Sequence, residues 1–305
     1  MRQFQPYLYI DAVVKAGSIR KAAETLAISS TALNRRILAL EEELGTAIFE
    51  RLSTGVRLSA AGELLLRHVR SQISDMARVR SQIEDLRGSK RGHISIACSQ
   101  AILTAFLPTQ IAIFRKKYPW VTFNVQLRDR AAAEKALIEL SADLAIVFEP
   151  VALAEFQTLI SIKQPVSVIM PKDHVLVSKE KVFLRDCLQH PIALPTKEFG
   201  VRALLEIRAR QSSLPLVPDV EADSFEYLRY QTERESLLTF QIDIGLPHNL
   251  EQTGLVSRRL DTKDVPPGIL YLGQLKNRIL PVAAAKFANQ LAGALDKAEY
   301  DAANV

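Results

Sequence analysis

SSTALNRRILALEEELG, residues 29–45, decides how the first third of the chain folds. Leu33, Ile37, Leu40 and Leu44 step by four, three and four, the spacing of one buried stripe on an α-helix. Ser29 or Ser30 offers a hydroxyl to the free amides at the start, and Gly45 stops the helix. Near the start remains a polar face of Ser30, Thr31, Asn34 and Arg35, with Arg36 at its flank, while Glu41, Glu42 and Glu43 lie at the far end. Hydroxyls and an amide reach base edges or phosphates, and guanidiniums pair with either, so this face is a candidate for a DNA major groove. An ordinary solvated surface helix carries the same pattern.

Working outward, Phe4 to Val14 is largely apolar and reads as a helix. Gly17 suits its end, and Ser18 the cap of a short helix from Ile19 to about Ala27. On that helix Ile19, Ala22, Ala23 and Leu26 share a face, and the two alanines admit a close neighbour, while Arg20, Lys21 and Glu24 face away. A short helix, a tight turn and a second helix that is basic at its start make a helix-turn-helix. After Gly45, Ile48-Phe49 and Val56-Arg57-Leu58 flank a turn containing Ser53-Thr54-Gly55, which predicts a hairpin, the wing of a winged helix. Arg51 and Arg57 then stand near neighbouring phosphates, or merely solvate the hairpin.

From Ala60 to about Leu86, the residues Leu65, Val69, Ile73, Met76, Val79, Ile83 and Leu86 recur at a mean spacing of about 3.5, which is coiled-coil periodicity. Arginines 67, 70, 78, 80 and 87 occupy other faces. The simplest partner for such a helix is its own copy, so a homodimer through residues 60–87 is expected, with two recognition helices on one roughly palindromic operator.

Composition agrees. At 305 residues and 48% apolar content the chain can build about two domains with real cores. The net charge of +5 is unevenly spread: residues 1–91 hold 15 Lys+Arg against 10 Asp+Glu, and the remainder 24 against 24. A polyanion-binding module joined to a neutral one has this distribution, although a basic solvated surface has it too. Cys98 and Cys187 are too few for a disulfide framework or a thiolate metal cage and sit beside apolar residues, so they read as core. Without an apolar run long enough to span a bilayer, and with Asp11 where a secretory signal would be apolar, a soluble cytoplasmic protein with no membrane partner is expected.

Gly88 to Gly92 reads as a hinge, after which strands and helices alternate: HISIACSQ, FLPTQIAIFRKKYP, VTFNVQL, AAAEKALIELS, DLAIVF. This is the rhythm of a parallel sheet with helices on its faces. A second α/β block runs from PVSVIM through PIALP, the helix VRALLEIRARQ and a strand in LPLVPDVEAD, and ends near SRRL. The strand GILYLGQL and the closing helix VAAAKFANQLAGALDKAEY return to the first block.

GSIRKAAETLAISSTALNRRILALEEELGTAIFERLSTGVRLSAAG, residues 17–62, resembles the N-terminal signature of LysR-type transcriptional regulators. The likeness rests on Gly17-Ser18, Ala22-Ala23, Leu40 through Gly45, and Phe49-Glu50-Arg51. Two α/β lobes joined by two crossings are similar to the effector domain of that family, itself like periplasmic solute-binding proteins. The resemblance implies an α+β multidomain fold: a winged helix-turn-helix over 1–59, a linker helix over 60–87, a hinge over 88–93, and a two-lobed effector domain. Lobe I takes 94–163 and 267–305, and lobe II takes 164–266. The implied function is sequence-specific, effector-controlled regulation of transcription by a dimer, with a tetramer and RNA polymerase as further expected associations in the bacterial cytoplasm, on the nucleoid.

The DNA-contacting residues that follow are Ser18, Ser29, Ser30, Thr31, Asn34, Arg35, Arg36, Arg51 and Arg57. Where the family commonly carries glutamine at the start of the recognition helix this chain has Ser30, and Asn34 replaces a frequent serine, so the operator of relatives does not carry over. Ligands of such sheets bind beyond the carboxyl ends of the strands, which selects Ser99, Gln100, Arg128, Val147, Phe148 and Thr196 for the effector. Arg128 and Arg130 suit an anionic effector through forked hydrogen bonds, while solvated or salt-bridged arginines beside Asp129 are the plainer reading of the same residues. In the second lobe Phe240 and Gln241 replace small residues common in relatives.

Catalysis finds no foothold. The five histidines, 68, 93, 174, 190 and 248, are not spaced as metal ligands, and nucleophile elbows, phosphate-cradling loops and dinucleotide fingerprints are absent. No enzyme, metal or cofactor is expected. The alternative is a cytoplasmic solute-binding sensor without specific DNA recognition.

Overall fold

The computed structural model describes residues 5–52, 55–86 and 91–303. The chain divides into two compact units, residues 1–80 and 81–305.

The first unit begins with α1 (Gln5–Ala16), α2 (Ile19–Thr25) and α3 (Ser30–Leu44), followed by the antiparallel pair β1 (Phe49–Leu52) and β2 (Gly55–Leu58) and by α4 (Ala60–Leu86). Its core joins Tyr9, Ile10 and Val13 of α1, Ala22 and Ala23 of α2, Leu33 and Ile37 of α3, Ile48 and Phe49, and Leu66 and Val69 of α4. Gly17 takes the left-handed conformation (φ 64°) between α1 and α2, as does Gly45 (φ 65°) at the end of α3. Gly55 has to be glycine for a further reason: a Cβ there would lie 2.4 Å from the Gly17 carbonyl oxygen.

Several expectations change. Ser18 occupies the cap position of α2, but its side chain makes no capping bond, because the first turn there relies on backbone bonds alone. Leu44 leaves the buried stripe and is 46% exposed, since α3 outruns the core at its last turn. Arg70, off the apolar stripe, is nonetheless largely buried: its Nε donates to the equally buried Asp11 of α1 at 3.0 Å. The expected turn residues Ser53 and Thr54 lie outside the described residues, as do 88–90 of the expected hinge. Residues 91–93 already belong to a strand.

In the second unit, β3 (Arg91–Cys98), β4 (Trp120–Leu127) and β5 (Leu144–Phe148) are parallel, with α5 (Phe106–Lys117) and α6 (Ala132–Ile138) between them in sequence. The sheet order is β4-β3-β5-β12-β6, where β6 is Phe156–Gln164 and β12 is Gly268–Leu275. β12 runs antiparallel to both β5 and β6, a departure from the parallel rhythm. The reason is topological: β6 leads out to the second lobe, and β12 re-enters from the far end. The closing helix α10 (Val282–Ala303) covers this sheet and sets Phe287 edge-on to Phe114 and Phe123, each at 5.0 Å.

The second lobe holds the antiparallel sheet β10-β7-β11, with β7 (Val166–Pro171), β10 (Thr239–Ile242) and β11 (Leu255–Arg259). Beside it stand α7 (Leu184–Cys187), the parallel pair β8 (Ala193–Pro195) and β9 (Val220–Ala222), and α8 (Gly200–Gln211). The strand expected in 214–223 shrinks to β9. A helix the sequence reading did not place, α9 (Phe225–Glu235), follows, capped by Ser224 through Tyr227 N at 3.2 Å. Its buried residues, Phe225, Leu228 and Thr232, are too few among charges to announce it by periodicity.

Cys98 and Cys187 are buried, and burial pushes both thiols up to about 12, so the reactive thiolate is nearly absent at neutral pH. Lobe I is tied together by Asp143, whose carboxylate accepts from Ser95 N at 2.8 Å and from Arg278 Nη2 at 2.7 Å, while Arg278 Nη1 donates to Ala142 O at 2.9 Å. Asp143→Ala removes the carboxylate from the largely buried Arg278 guanidinium and is expected to destabilise the second unit by about 3 kcal/mol in urea unfolding. A loss below about 1 kcal/mol would show that the pair contributes little.

Candidate DNA interface and effector cleft

Burial of Leu33 and Ile37 sets the rotation of α3, and its other residues sort accordingly. Ser29 caps the helix, its Oγ accepting from Ala32 N at 3.1 Å. Thr31, Arg35 and Leu38 fall opposite the buried stripe and are exposed, with Ser30 exposed beside them. Leu38, 46% exposed, was not among the sequence candidates, because an isolated leucine on a helix reads as core until the rotation is known.

Asn34 and Glu41 are about two turns apart and share the side of α3 that faces β1. Glu41 Oε1 accepts from Ile48 N at 2.7 Å and Phe49 N at 3.0 Å, anchoring the entry to the wing. Its neighbours Glu42 and Glu43 are exposed. On β1 side chains alternate, so Arg51 points the same way as buried Phe49 and reaches α3, where its Nη2 donates to Asn34 Oδ1 at 3.0 Å.

Two further expected DNA contacts, beyond Ser29 and the Arg51–Asn34 pair, already have partners. Arg36 turns to the other flank, donating to the Tyr9 hydroxyl with its guanidinium 5.0 Å from that ring centre. Arg57 forms a 2.5 Å ion pair with Glu50, its cross-strand partner. The charge it offers a phosphate is therefore partly spent.

On α4 the stripe divides. Leu65, Leu66, Val69 and Ile73 pack on the core of the first unit, whereas Val79 and Ile83 are 40% and 44% exposed. The side chain of Leu86 lies outside the described residues.

In the second unit, Ser99, Arg128, Phe148 and Thr196 line a cleft of about 410 Å³ between the lobes, together with Arg130. Each follows a strand end: Ser99 N donates to Ile146 O at 3.0 Å, Arg128 N to Cys98 O at 3.0 Å, and Thr196 N to Ala222 O at 3.1 Å. Phe199 and Phe225 meet edge to face at 5.2 Å and form an apolar wall. Phe148 forms another, and two glycines make room for it: a Cβ on Gly200 would lie 2.7 Å from its ring, and one on Gly268 2.2 Å.

Two of the sequence candidates fall elsewhere. Val147 is buried on the opposite face of β5, among Ala97, Ala133 and Leu137, because alternate strand residues cannot both face one cleft. Gln100 is taken up in a bond between lobes, its Oε1 accepting from Phe225 N at 2.8 Å.

The cleft carries both signs of charge. Arg128 is held along its own strand by Leu127 O at 2.9 Å and Gln126 Oε1 at 2.6 Å. Arg130 donates through Nε to Glu149 O, and its terminal nitrogens have no partner among the described residues. Asp129 is occupied by the amides of Ala131 and Ala132, at 2.9 and 2.7 Å. The Glu198 carboxyl is held below its usual range, first by a hydrogen bond from Thr196. α8 opens at the cleft without a side-chain cap, so its first amides and dipole face it.

No helix among the described residues is long and apolar enough to cross a membrane. The family model described as "Bacterial regulatory helix-turn-helix protein, lysR family" matches residues 5–63, and "LysR substrate binding domain" matches residues 87–296. Among curated relatives, the RuBisCO operon transcriptional regulator of Allochromatium vinosum is 26% identical over 196 residues, 64% of this chain and 65% of that one. The transcriptional activator CmpR of Synechocystis sp. is 24% identical over 231 residues, covering 75% and 74%. The chain thus spans about two thirds to three quarters of these relatives. Among solved structures, a full-length OxyR variant from Pseudomonas aeruginosa superposes with a TM-score of 0.73 at 17% identity, over 96% of this chain and 94% of that one. Full-length CbnR in complex with its target DNA gives 0.61 at 17% identity, over 94% and 98%.

The helix-turn-helix match sets aside a sensor without a DNA role, and the relatives are named as regulators of transcription rather than enzymes. This chain belongs to the LysR family of bacterial transcriptional regulators, joining a DNA-binding helix-turn-helix to an effector-binding domain.

Proposed function

We propose that α3 enters the major groove of an operator and reads it with Ser30, Thr31, Asn34, Arg35 and Leu38, while Ser18, Ser29, Arg51 and the partly neutralised Arg57 approach phosphates. Arg36 serves chiefly to hold α3 on Tyr9. The observation that carries this reading is the exposed face of Thr31, Arg35 and Leu38, which offers a hydroxyl, a guanidinium and an apolar tip suited to a thymine methyl. Two copies pair through α4 on a roughly palindromic site, further pairing gives a tetramer, and the output passes to RNA polymerase at promoters on the nucleoid. The exposure of Val79 and Ile83, on the stripe whose earlier residues Leu65, Val69 and Ile73 pack on the core, supports pairing of α4.

The effector is a small molecule with an anionic group, held in the cleft lined by Ser99, Arg128, Phe148 and Thr196. The uncommitted nitrogens of Arg130 and the open start of α8 support a carboxylate or phosphate, and the phenylalanines support an apolar body beside it. The linker stays over 60–87 and the lobes over 94–163 with 267–305 and over 164–266, with residues 91–93 joining lobe I as the start of β3.

Arg35→Ala is expected to lower operator affinity by about 10-fold or more and to relax preference at one base pair, measured by mobility shift and footprinting on the DNA flanking the gene. An unchanged footprint and affinity would remove α3 from the groove. Val79→Asp with Ile83→Asp is expected to release monomers in sedimentation, without the core damage that a charge at half-buried Ile73 would cause. A persisting dimer would place the pairing elsewhere. In a thermal-shift screen of small carboxylic acids and their amides, an acid is expected to raise the Tm of the parent protein but not of Arg130→Met, and stabilisation by amides alone would discard the anionic effector.

A further inference from the structure

The contact between the wing and α3 carries consequences for which base is read. It rests on the proposed insertion of α3 into the groove. Asn34 is the residue by which this recognition helix offers an amide, and an amide has two unlike ends: Oδ1 accepts and Nδ2 donates two hydrogens. Arginine only donates, so the 3.0 Å contact from Arg51 Nη2 requires the oxygen end of Asn34 to face the wing. Nδ2 is then turned away from the wing. Glu41 secures this arrangement from below, because its bonds to Ile48 N and Phe49 N fix where β1 starts relative to the same side of α3.

We infer that Arg51 is a positioning residue that acts through Asn34 and turns the amide into a donor, so that the pair selects guanine at one position of each half-site. An asparagine free to rotate reads adenine, Oδ1 accepting from N6 and Nδ2 donating to N7. With a guanidinium on Oδ1 that pairing competes with Arg51, and the adjacent positive charge disfavours the adenine amino group. Guanine offers only acceptors, O6 and N7, on the edge it presents in the major groove, and these match the two hydrogens of Nδ2 without any need of Oδ1. The remaining nitrogens of Arg51 have no partner among the described residues and stay available to a phosphate.

Selection of randomised duplexes followed by sequencing tests this, using the protein and its Asn34→Ala, Arg51→Ala, Asn34→Ala/Arg51→Ala and Arg35→Ala variants. Asn34 is partly exposed and Arg51 exposed, so folding is preserved, and circular dichroism verifies it. The parent protein is expected to prefer guanine about 10-fold at the affected position. Asn34→Ala is expected to level that position. Arg51→Ala is expected to weaken binding generally and also to shift the same position toward adenine, and the double variant to match Asn34→Ala there.

A uniform loss with Arg51→Ala and an unchanged base profile would overturn the inference, leaving Arg51 a phosphate contact only. A parent preference for adenine that depends on Asn34 would overturn it as well. If Asn34→Ala and Arg35→Ala both leave the profile intact, the groove reading of α3 itself fails, which is a different result from the uniform loss.

Discussion

Burial of Leu33 and Ile37 against Tyr9, Val13 and the two alanines of α2 is the constraint on which the DNA-facing unit depends. A helix has one rotation about its axis, and the cost of exposing two large aliphatic side chains, about 1.5–3 kcal/mol each, settles it. Every other assignment on α3 follows from that angle. Thr31, Arg35 and Leu38 are left to the outside, Asn34 and Glu41 meet the wing, and Arg36 meets Tyr9. The recognition surface is thus the complement of the core, and no separate device is needed to display it.

Polar contacts then refine what burial sets. Glu41 accepts two backbone amides at the wing's entry, which would otherwise lie unpaired at the edge of the core, so it replaces missing ladder bonds as well as holding the wing. Glu50 offsets the charge of Arg57, and Tyr9 turns the guanidinium of Arg36 aside. A basic sequence therefore overstates how many guanidiniums a phosphate backbone would meet unopposed.

In the effector domain the corresponding constraint is the parallel order of β3, β4 and β5, which brings three strand ends to one edge of the sheet. That is why Ser99, Arg128 and Phe148, distant in sequence, share a cleft with Thr196 of the other lobe. Phe148 acts as a floor only because Gly200 and Gly268 lack side chains. The bond from Phe225 N to Gln100 ties the lobes at the margin of the same cleft, so Gln100 contributes to its shape rather than to its lining.

The helix boundaries of α3 and α4, the wing, the alternating elements of lobe I and the return of β12 and α10 were legible in the sequence. Apolar spacing, glycine punctuation and serine caps are local signals, and local physics suffices to read them. A period of two also tells that Val147 and Phe148 face opposite ways, but not which of them faces the ligand, since that depends on which layer covers each side of the sheet. Helix α9 and the antiparallel entry of β12 were not legible, because the first is held by three buried residues among charges and the second by the direction from which the chain returns. The sequence by itself determined that this protein presents a basic helix-turn-helix ahead of a neutral two-lobed domain. Only the tertiary structure decided which arginines are already paired, which way the amide of Asn34 points, and which strand ends form the cleft, because those depend on contacts between residues far apart in the chain.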